Sequence, residues 1–232
     1  STPLLMATRK GLSNDGSDSA KYWNEHKPTT KTDKEVTSYR SLIIAGNSPM
    51  GKKLAKEAND GTLTWKDLND AKWGLESTSS AAGYMYPSQW LTENFKHSIR
   101  DLKNTVTMDS YDSAMAQLAS GQIDVMPEYA DARMDDAAKW TTTFGAKESI
   151  WDDTNVIGVT PAIANDGIMV SEKSKIMTAD FKKALSAAIK DMAKTDEGKK
   201  VIAIYSHDGY VDSTKADFKT AIKVANSMSK AN

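Results

Sequence analysis

Cysteine is absent from the chain, which excludes disulfides, zinc–thiolate sites and cysteine nucleophiles. Histidine is scarce: His26, His97 and His207 are the whole complement, and none shares a motif with a second ligand at metal spacing. No GxSxG elbow is present. Phosphate loops of the GxxxxGKS/T and GxGxxG kinds are also missing. No hydrophobic run reaches the length of a membrane span, and no leader is visible, so an exported form would have lost its own. Charge of one sign is lacking as well: 30 basic residues face 31 acidic ones, for a formal net charge of −1. Neither nucleic acid nor an anionic membrane surface is therefore an expected partner, and any anion site must be local.

The 232 residues are enough for one large domain or two small lobes. The chain is organised around Leu75-Glu76-Ser77-Thr78-Ser79-Ser80-Ala81-Ala82-Gly83-Tyr84-Met85-Tyr86-Pro87. A short strand over Asp70–Leu75 leads into it, and a helix over Tyr84–Phe95 leads out. Small and hydroxyl residues between a strand and a helix leave backbone N–H groups bare, and those groups with the helix dipole favour a phosphate-like anion. A run of hydroxyls is also what a capped, solvated turn looks like. Both readings stand at this point.

Elsewhere strands and helices alternate. Val36, Tyr39, Leu42, Ile43 and Ile44 mark a strand stopped by Gly46-Asn47-Ser48-Pro49, and Gly51–Asn59 a short amphipathic helix. Pro3–Gly11 reads as the tail of a strand and a helical turn, Ser13–Lys34 as a long surface excursion, and Leu63–Leu68 as a turn. Asn104–Met108 is a strand; Ser113–Ser120 is a helix closed by Gly121. Ile123–Pro127 is a strand and Glu128–Trp140 a helix, placing Glu128 and Asp131 one helical turn apart as either an exposed first turn or a ligand contact. Asn155–Val159 and Gly167–Val170 are strands. Three helices finish the chain, capped by Thr178, by Thr195 and by a Thr214/Asp217 box, and faced by Phe181, Leu185, Ile189, Met192, then Val201, Ile202, Tyr205, then Phe218 and Ile222. This order predicts an α/β fold with a parallel or mixed sheet. Ligands of such sheets sit beyond the carboxyl ends of the strands, here Glu76–Ala82, Asp109–Asp112, Pro127–Asp131 and Thr160–Asp166. Those ends are polar and each carries an acid, a setting for a ligand with an anionic head and an amine.

The order of these pieces resembles the phosphonate-binding family of periplasmic solute receptors that feed ABC importers. The resemblance is carried by Tyr39–Ile44, Asp67-Leu68, Ser80–Pro87, Ser110–Ala114, Leu118–Asp124 and Thr160–Asp166, and runs from about Pro3 to the end. It implies a two-lobed α/β fold with crossing strands, with residues 1–72 and 160–232 in the first lobe and 73–159 in the second. It implies ligand in an interlobe cleft, lobe closure, docking on a membrane permease, and a periplasmic or lipid-anchored extracellular location. Family members carry further strand–helix units before Leu4-Leu5-Met6-Ala7, so the first lobe is expected to lack its N-terminal units. Carried over by position, Ser80 with the backbone of Ala81 and Ala82 would hold the phosphonate head. Ser77, Thr78 and Ser79 would supply hydroxyls that the family places at Ala81 and Ala82. Tyr111 falls where some relatives use histidine, and Asp131 and Asp166 fall where relatives hold the ligand's amino group. The expected protein is a non-enzymatic receptor without cofactor or metal. The alternative is an enzyme or binding domain on a similar two-lobed scaffold, acting on a phosphorylated small molecule such as a vitamin precursor. That enzyme needs a cleft nucleophile or base with a perturbed pKa, and no paired candidate is apparent.

Overall fold

A computed structural model describes residues 1–230. In chain order the elements are β1 (Thr2–Leu12), α1 (Ala20–Glu25), β2 (Lys31–Val36), β3 (Ser38–Tyr39), β4 (Ser41–Ala45), α2 (Pro49–Asp60), α3 (Trp65–Asp70) and β5 (Trp73–Leu75). A π-helical turn, Ala81–Met85, runs directly into α4 (Tyr86–Phe95). Next come β6 (Thr105–Thr107), α5 (Tyr111–Ala119), β7 (Val125–Tyr129), α6 (Ala132–Thr142), α7 (Ile150–Asp153), β8 (Asn155–Val159), β9 (Ile163–Ala164) and β10 (Gly167–Val170). The chain closes with α8 (Ala179–Met192), α9 (Asp196–Ala203), β11 (Gly209–Asp212) and α10 (Lys219–Lys230). The fold is α/β, as expected. None of the described helices is long and apolar enough to cross a membrane.

Two compact units divide these elements. The first comprises Ser1–Gly11, Lys31–Tyr39 and Ala164–Lys230; the second comprises Leu12–Thr30 and Arg40–Ile163.

The second unit is built on a five-stranded mixed sheet in the order β6-β5-β7-β4-β8. β5 is parallel to β6 and β7, while β4 runs antiparallel to β7 and β8. All five residues of β4 are buried, which suits a central strand rich in Leu and Ile. Leu42 and Ile44 pack into a core with Met115, Leu118, Met126, Trp140 and Val156. Helix entry is set by side-chain caps: Ser48 Oγ accepts from Gly51 N–H at 2.9 Å, and Ser110 Oγ from Ser113 N–H at 3.2 Å. Gly121 follows α5 at φ 71°, the left-handed value that its expected closing role requires.

The first unit carries a sheet in the order β10-β1-β11, with β2 also paired to β1. β1 runs antiparallel to both neighbours, with Leu5 opposite Ile168 and Thr8 opposite Gly209. Thr178 and Thr195 cap α8 and α9 as the sequence predicts, accepting from Phe181 N–H and Gly198 N–H. Thr214 N–H and its hydroxyl both donate to Asp217 Oδ2, which is half of the expected box; they close a turn, and α10 begins later at Lys219. Several apolar side chains expected to face a core lie at the surface instead, among them Phe181, Met192, Val201, Tyr205 and Ile222. Ile176 and Ile204 join them, at 67% and 76% exposure.

Four local expectations are corrected. Pro3–Gly11 contains no helical turn: it belongs to one strand of 11 residues, β1, with a register shift between Pro3 and Leu5. The excursion expected over Ser13–Lys34 contains α1 and most of β2, and Trp23 within it is fully buried, its Nε1 donating to the Ser17 carbonyl at 3.0 Å. The turn expected at Leu63–Leu68 is a helix start, because Thr64 Oγ1 accepts from Asp67 N–H at 3.2 Å. Glu128 is in a strand, not a helix: β7 continues through Tyr129, with Leu42 opposite Glu128 and Ser41 opposite Tyr129.

Candidate functional site

The carboxyl ends of the parallel strands β5, β6 and β7 collect the predicted anion-binding residues of the second unit. Beyond Leu75 the chain passes through Glu76–Ser79 to Ser80, whose extended backbone (φ −68°, ψ 121°) precedes the π turn. Ser80 Oγ accepts from Gly83 N–H at 3.0 Å, and the Ser80 carbonyl accepts from Met85 N–H at 2.9 Å. The side-chain cap and the wide i→i+5 closure use the amides of Gly83 and Met85 respectively. The N–H groups of Ala81 and Ala82 make no hydrogen bond within the described residues. They are the open donors at the start of a helical segment that continues to Phe95.

Small residues here have a steric cause. A Cβ on Gly83 would lie 2.4 Å from Cβ and Cγ of Glu76, so only glycine lets the turn sit against that side chain. Ser77 Oγ and Ser79 Oγ are 3.1 Å apart, and Thr78 between them is exposed. Ser80 Oγ is also 3.1 Å from the Tyr111 hydroxyl at the start of α5, which joins two expected site residues from different elements. The Tyr111 ring meets Tyr129 edge-on at 5.5 Å. The structure thus brings Ser77, Thr78, Ser79, Ser80, Ala81, Ala82 and Tyr111 to one end of one sheet.

Asp131 is occupied differently. It caps α6 and is buried, with Oδ1 accepting from Arg133 N–H at 3.2 Å and from Arg133 Nε at 2.9 Å. Its Oδ2 accepts from Arg133 Nη2 at 2.8 Å and from Thr29 Oγ1 at 2.7 Å. Arg133 is fully buried and stands 4.9 Å from the Trp151 ring centroid.

Asp166 lies in the other unit, just before β10. Its Oδ2 accepts from Arg9 Nη2 at 2.9 Å and pairs with His207 Nε2 at 3.0 Å. The side chain is 66% exposed.

Two further acids stand at this end: Glu76, which heads one of the expected strand ends, and Glu128, which the sequence leaves open between an exposed first turn and a ligand contact. Glu128 is fully buried in β7, and neither carboxylate oxygen has a hydrogen-bond partner among the described residues. Burial first, then the charges of Asp136, Glu76, Asp131 and Asp112, push its carboxyl well above the ordinary range. Glu76 is raised in the same sense by burial and by Asp109, and its Oε1 is buried without a partner among the described residues. Glu76 and Glu128 both stand at carboxyl ends of adjacent parallel strands, where charged residues have little packing value.

No group of three or more potential metal ligands exists among the described residues. The histidines are dispersed: His26 stacks on Tyr22 at 3.9 Å, His97 on Trp65 at 4.2 Å, and His207 pairs with Asp166.

The chain folds into two compact α/β units. The chain matches, over residues 6–218, the family described as ABC transporter, phosphonate, periplasmic substrate-binding protein, and it belongs to that family. Among solved structures it is similar to a binding protein component of an ABC phosphonate transporter from Pseudomonas aeruginosa. That match has 14% identity and a TM-score of 0.57, covering 97% of this chain and 62% of the other. It is similar to a Xanthomonas citri protein bound to ATP (14% identity, TM-score 0.65, 98% of this chain and 70% of that one). PhnD1 from Prochlorococcus marinus in complex with methylphosphonate is a third (15%, TM-score 0.57, 84% and 68%). At these identities the likeness speaks for the fold. The chain spans about two thirds of the length of these relatives. No curated protein matches it.

Proposed function

We propose that this protein is the extracytoplasmic solute receptor of an ABC importer, binding a small phosphorus oxyanion of the phosphonate class without turning it over. The observation that carries this reading is the pair of unpartnered amides at Ala81 and Ala82, opening a helical segment beside the Ser80 and Tyr111 hydroxyls. Charge-assisted bonds from such donors are the strong kind, and the helix dipole adds to them. Ser77, Thr78 and Ser79 supply further hydroxyls around the same head group. Family membership supports the role, and a methylphosphonate-bound structural relative supports the ligand class.

For a ligand that also carries an amine, Asp166 is the acid we assign to it, since its carboxylate is largely exposed. Asp131 we assign to positioning, because both its oxygens are engaged by Arg133 and Thr29. The receptor would hand its ligand to a membrane permease, the partner that the family name implies.

Thermal unfolding against methylphosphonate, 2-aminoethylphosphonate, phosphate and phosphite tests the reading. A receptor gains stability by RT ln(1 + [L]/Kd) with one of these, while phosphorus NMR shows the ligand unchanged. Stabilisation by none of them overturns the proposal, and conversion of any of them replaces it with the enzyme reading.

A further inference from the structure

β5 and β7 are parallel neighbours in register at Trp73↔Val125, so three residues further along each strand Glu76 and Glu128 stand level with one another. Both belong to the second unit, and β7 packs against the π turn. Glu76 touches that turn directly. A Cβ on Gly83 would lie 2.4 Å from Glu76 Cβ and Cγ and 3.0 Å from Ser80 Oγ. The acid and the capping hydroxyl therefore crowd the same glycine, one residue beyond the open amide of Ala82. Ser41 Oγ donates to the Ala82 carbonyl at 2.7 Å and holds the turn in place. Glu76 Oε1 and both oxygens of Glu128 are buried and receive no hydrogen bond from the described residues. Buried acceptors left without a donor are costly, and these lie at the edge of an anion seat.

We propose that Glu76 is a specificity-determining residue of this seat: it and the bound oxyanion hold one proton between them, so the site selects head groups that can carry a proton. Glu76 takes this role only if the Ala81 and Ala82 amides seat the anion, so the assignment stands on that reading of the site. A carboxylate beside a fully ionised head repels it, whereas one shared proton turns the contact into a short, charge-assisted O–H···O bond. The count is the same whether that proton is drawn on the acid or on the ligand. Phosphorus oxyanions titrate near neutrality and can supply or accept it. A sulfonate cannot.

The groups packed around the two acids favour the proton. Burial first, then Asp109 after β6, raises the Glu76 carboxyl above its ordinary range. Burial first, then Asp136, Glu76, Asp131 and Asp112, raises Glu128 well above it, so the inner acid is neutral. Nearby cations are already engaged. Lys139 of α6 pairs with Asp112 at 3.0 Å and Asp136 at 3.1 Å, and Arg133 pairs with Asp131. The Tyr129 hydroxyl donates to Asp135 Oδ2 at 3.1 Å, and burial with the Asp135 charge keeps that phenol protonated.

The test is calorimetric titration of the full chain with methylphosphonate and methanesulfonate, in buffers of differing ionisation heat at pH 8.5. Both are tetrahedral anions with the same methyl arm, and only the first can carry a proton. Native protein should take up about one proton per methylphosphonate bound. It should prefer methylphosphonate to methanesulfonate by about 10-fold or more. In Glu76→Gln the uptake disappears and methanesulfonate gains about 10- to 100-fold, because a carboxamide N–H donates to either anion. Glu128→Gln keeps both the uptake and the preference. A native count near zero overturns the inference without any variant. Equal native affinity for the two anions, an unchanged count in Glu76→Gln, or loss of uptake in Glu128→Gln instead, also overturns it while Ala81→Pro still weakens methylphosphonate. If Ala81→Pro leaves methylphosphonate binding intact, or neither anion binds, the seat itself is misread and the inference falls with it.

Discussion

Asp131 and Arg133 form an ion pair two residues apart in which both side chains are fully buried and Arg133 Nη2 lies 2.8 Å from Asp131 Oδ2. A third partner, Thr29 Oγ1, reaches the same oxygen from a segment 102 residues earlier in the chain. The pair therefore ties the start of α6 to the loop that follows α1. Asp131→Ala strands a buried guanidinium and should cost about 3–5 kcal/mol of stability. Denaturant unfolding measures it, and a loss under 1 kcal/mol would show that the pair contributes little.

Ala81→Pro is the cleanest probe of the anion site. Proline is tolerated at the first position of a helix, and Ser80 already has the extended backbone that a residue before proline requires. The substitution removes one N–H and leaves the Ser80 cap on Gly83. Affinity for a phosphonate should drop by about 10- to 100-fold, the value of a hydrogen bond to a charged group at about 1.5–3 kcal/mol, with little change in Tm. Unaltered affinity would mean that this amide does not touch the ligand.

Gly83→Ala places a methyl where Glu76 Cβ and Cγ already stand at 2.4 Å. Either Glu76 or the π turn must shift, and overpacking of this kind costs about 1–3 kcal/mol. Because the turn carries the open amides, phosphonate affinity should fall together with stability. A variant that is as stable as native and binds equally well would contradict the packing described.

Glu128 predicts a pH dependence of folding. Its carboxyl is pushed well above the ordinary range, so the folded chain holds a proton that the unfolded chain gives up. The contribution is fully present below the ordinary glutamate value of 4.5 and is lost as pH rises through the higher folded value. Glu128→Gln keeps the shape and removes the titration. Native protein should therefore lose Tm between pH 5 and pH 8 relative to the variant, by at least the 2–4 °C or so that about 1 kcal/mol produces at this length. Parallel profiles for the two proteins would place the proton elsewhere.

How much of this was legible in the residues depended on whether the cause was local. Thr178 and Thr195 announce α8 and α9 because a cap and an apolar period act within a few positions. β4 and β8 were readable from their branched apolar runs. The 73–95 segment was visible as strand, loop and helix, but its π turn was not, since that depends on the contact between Gly83 and Glu76. Pro127 misled the reading of Glu128, because a proline ahead of an acid resembles a helix start. It is tolerated in β7 because β5 pairs with that strand only at Trp73↔Val125, leaving little ladder there to break. Thr64 with Asp67 was a legible cap that went unused, and α3 was missed for it. The Arg9–Asp166–His207 cluster could not be read at all: its members are 157 and 41 residues apart, and they meet because β1 lies between β10 and β11.

The outward-facing Ile176, Phe181, Val201, Ile204, Tyr205 and Ile222 of the first unit have a practical corollary. Greasy side chains left wet at that density make a folded molecule adhesive. Preparations of these 232 residues should brighten hydrophobic dyes while still native, cling to vessel walls, and demand detergent or dilution during handling.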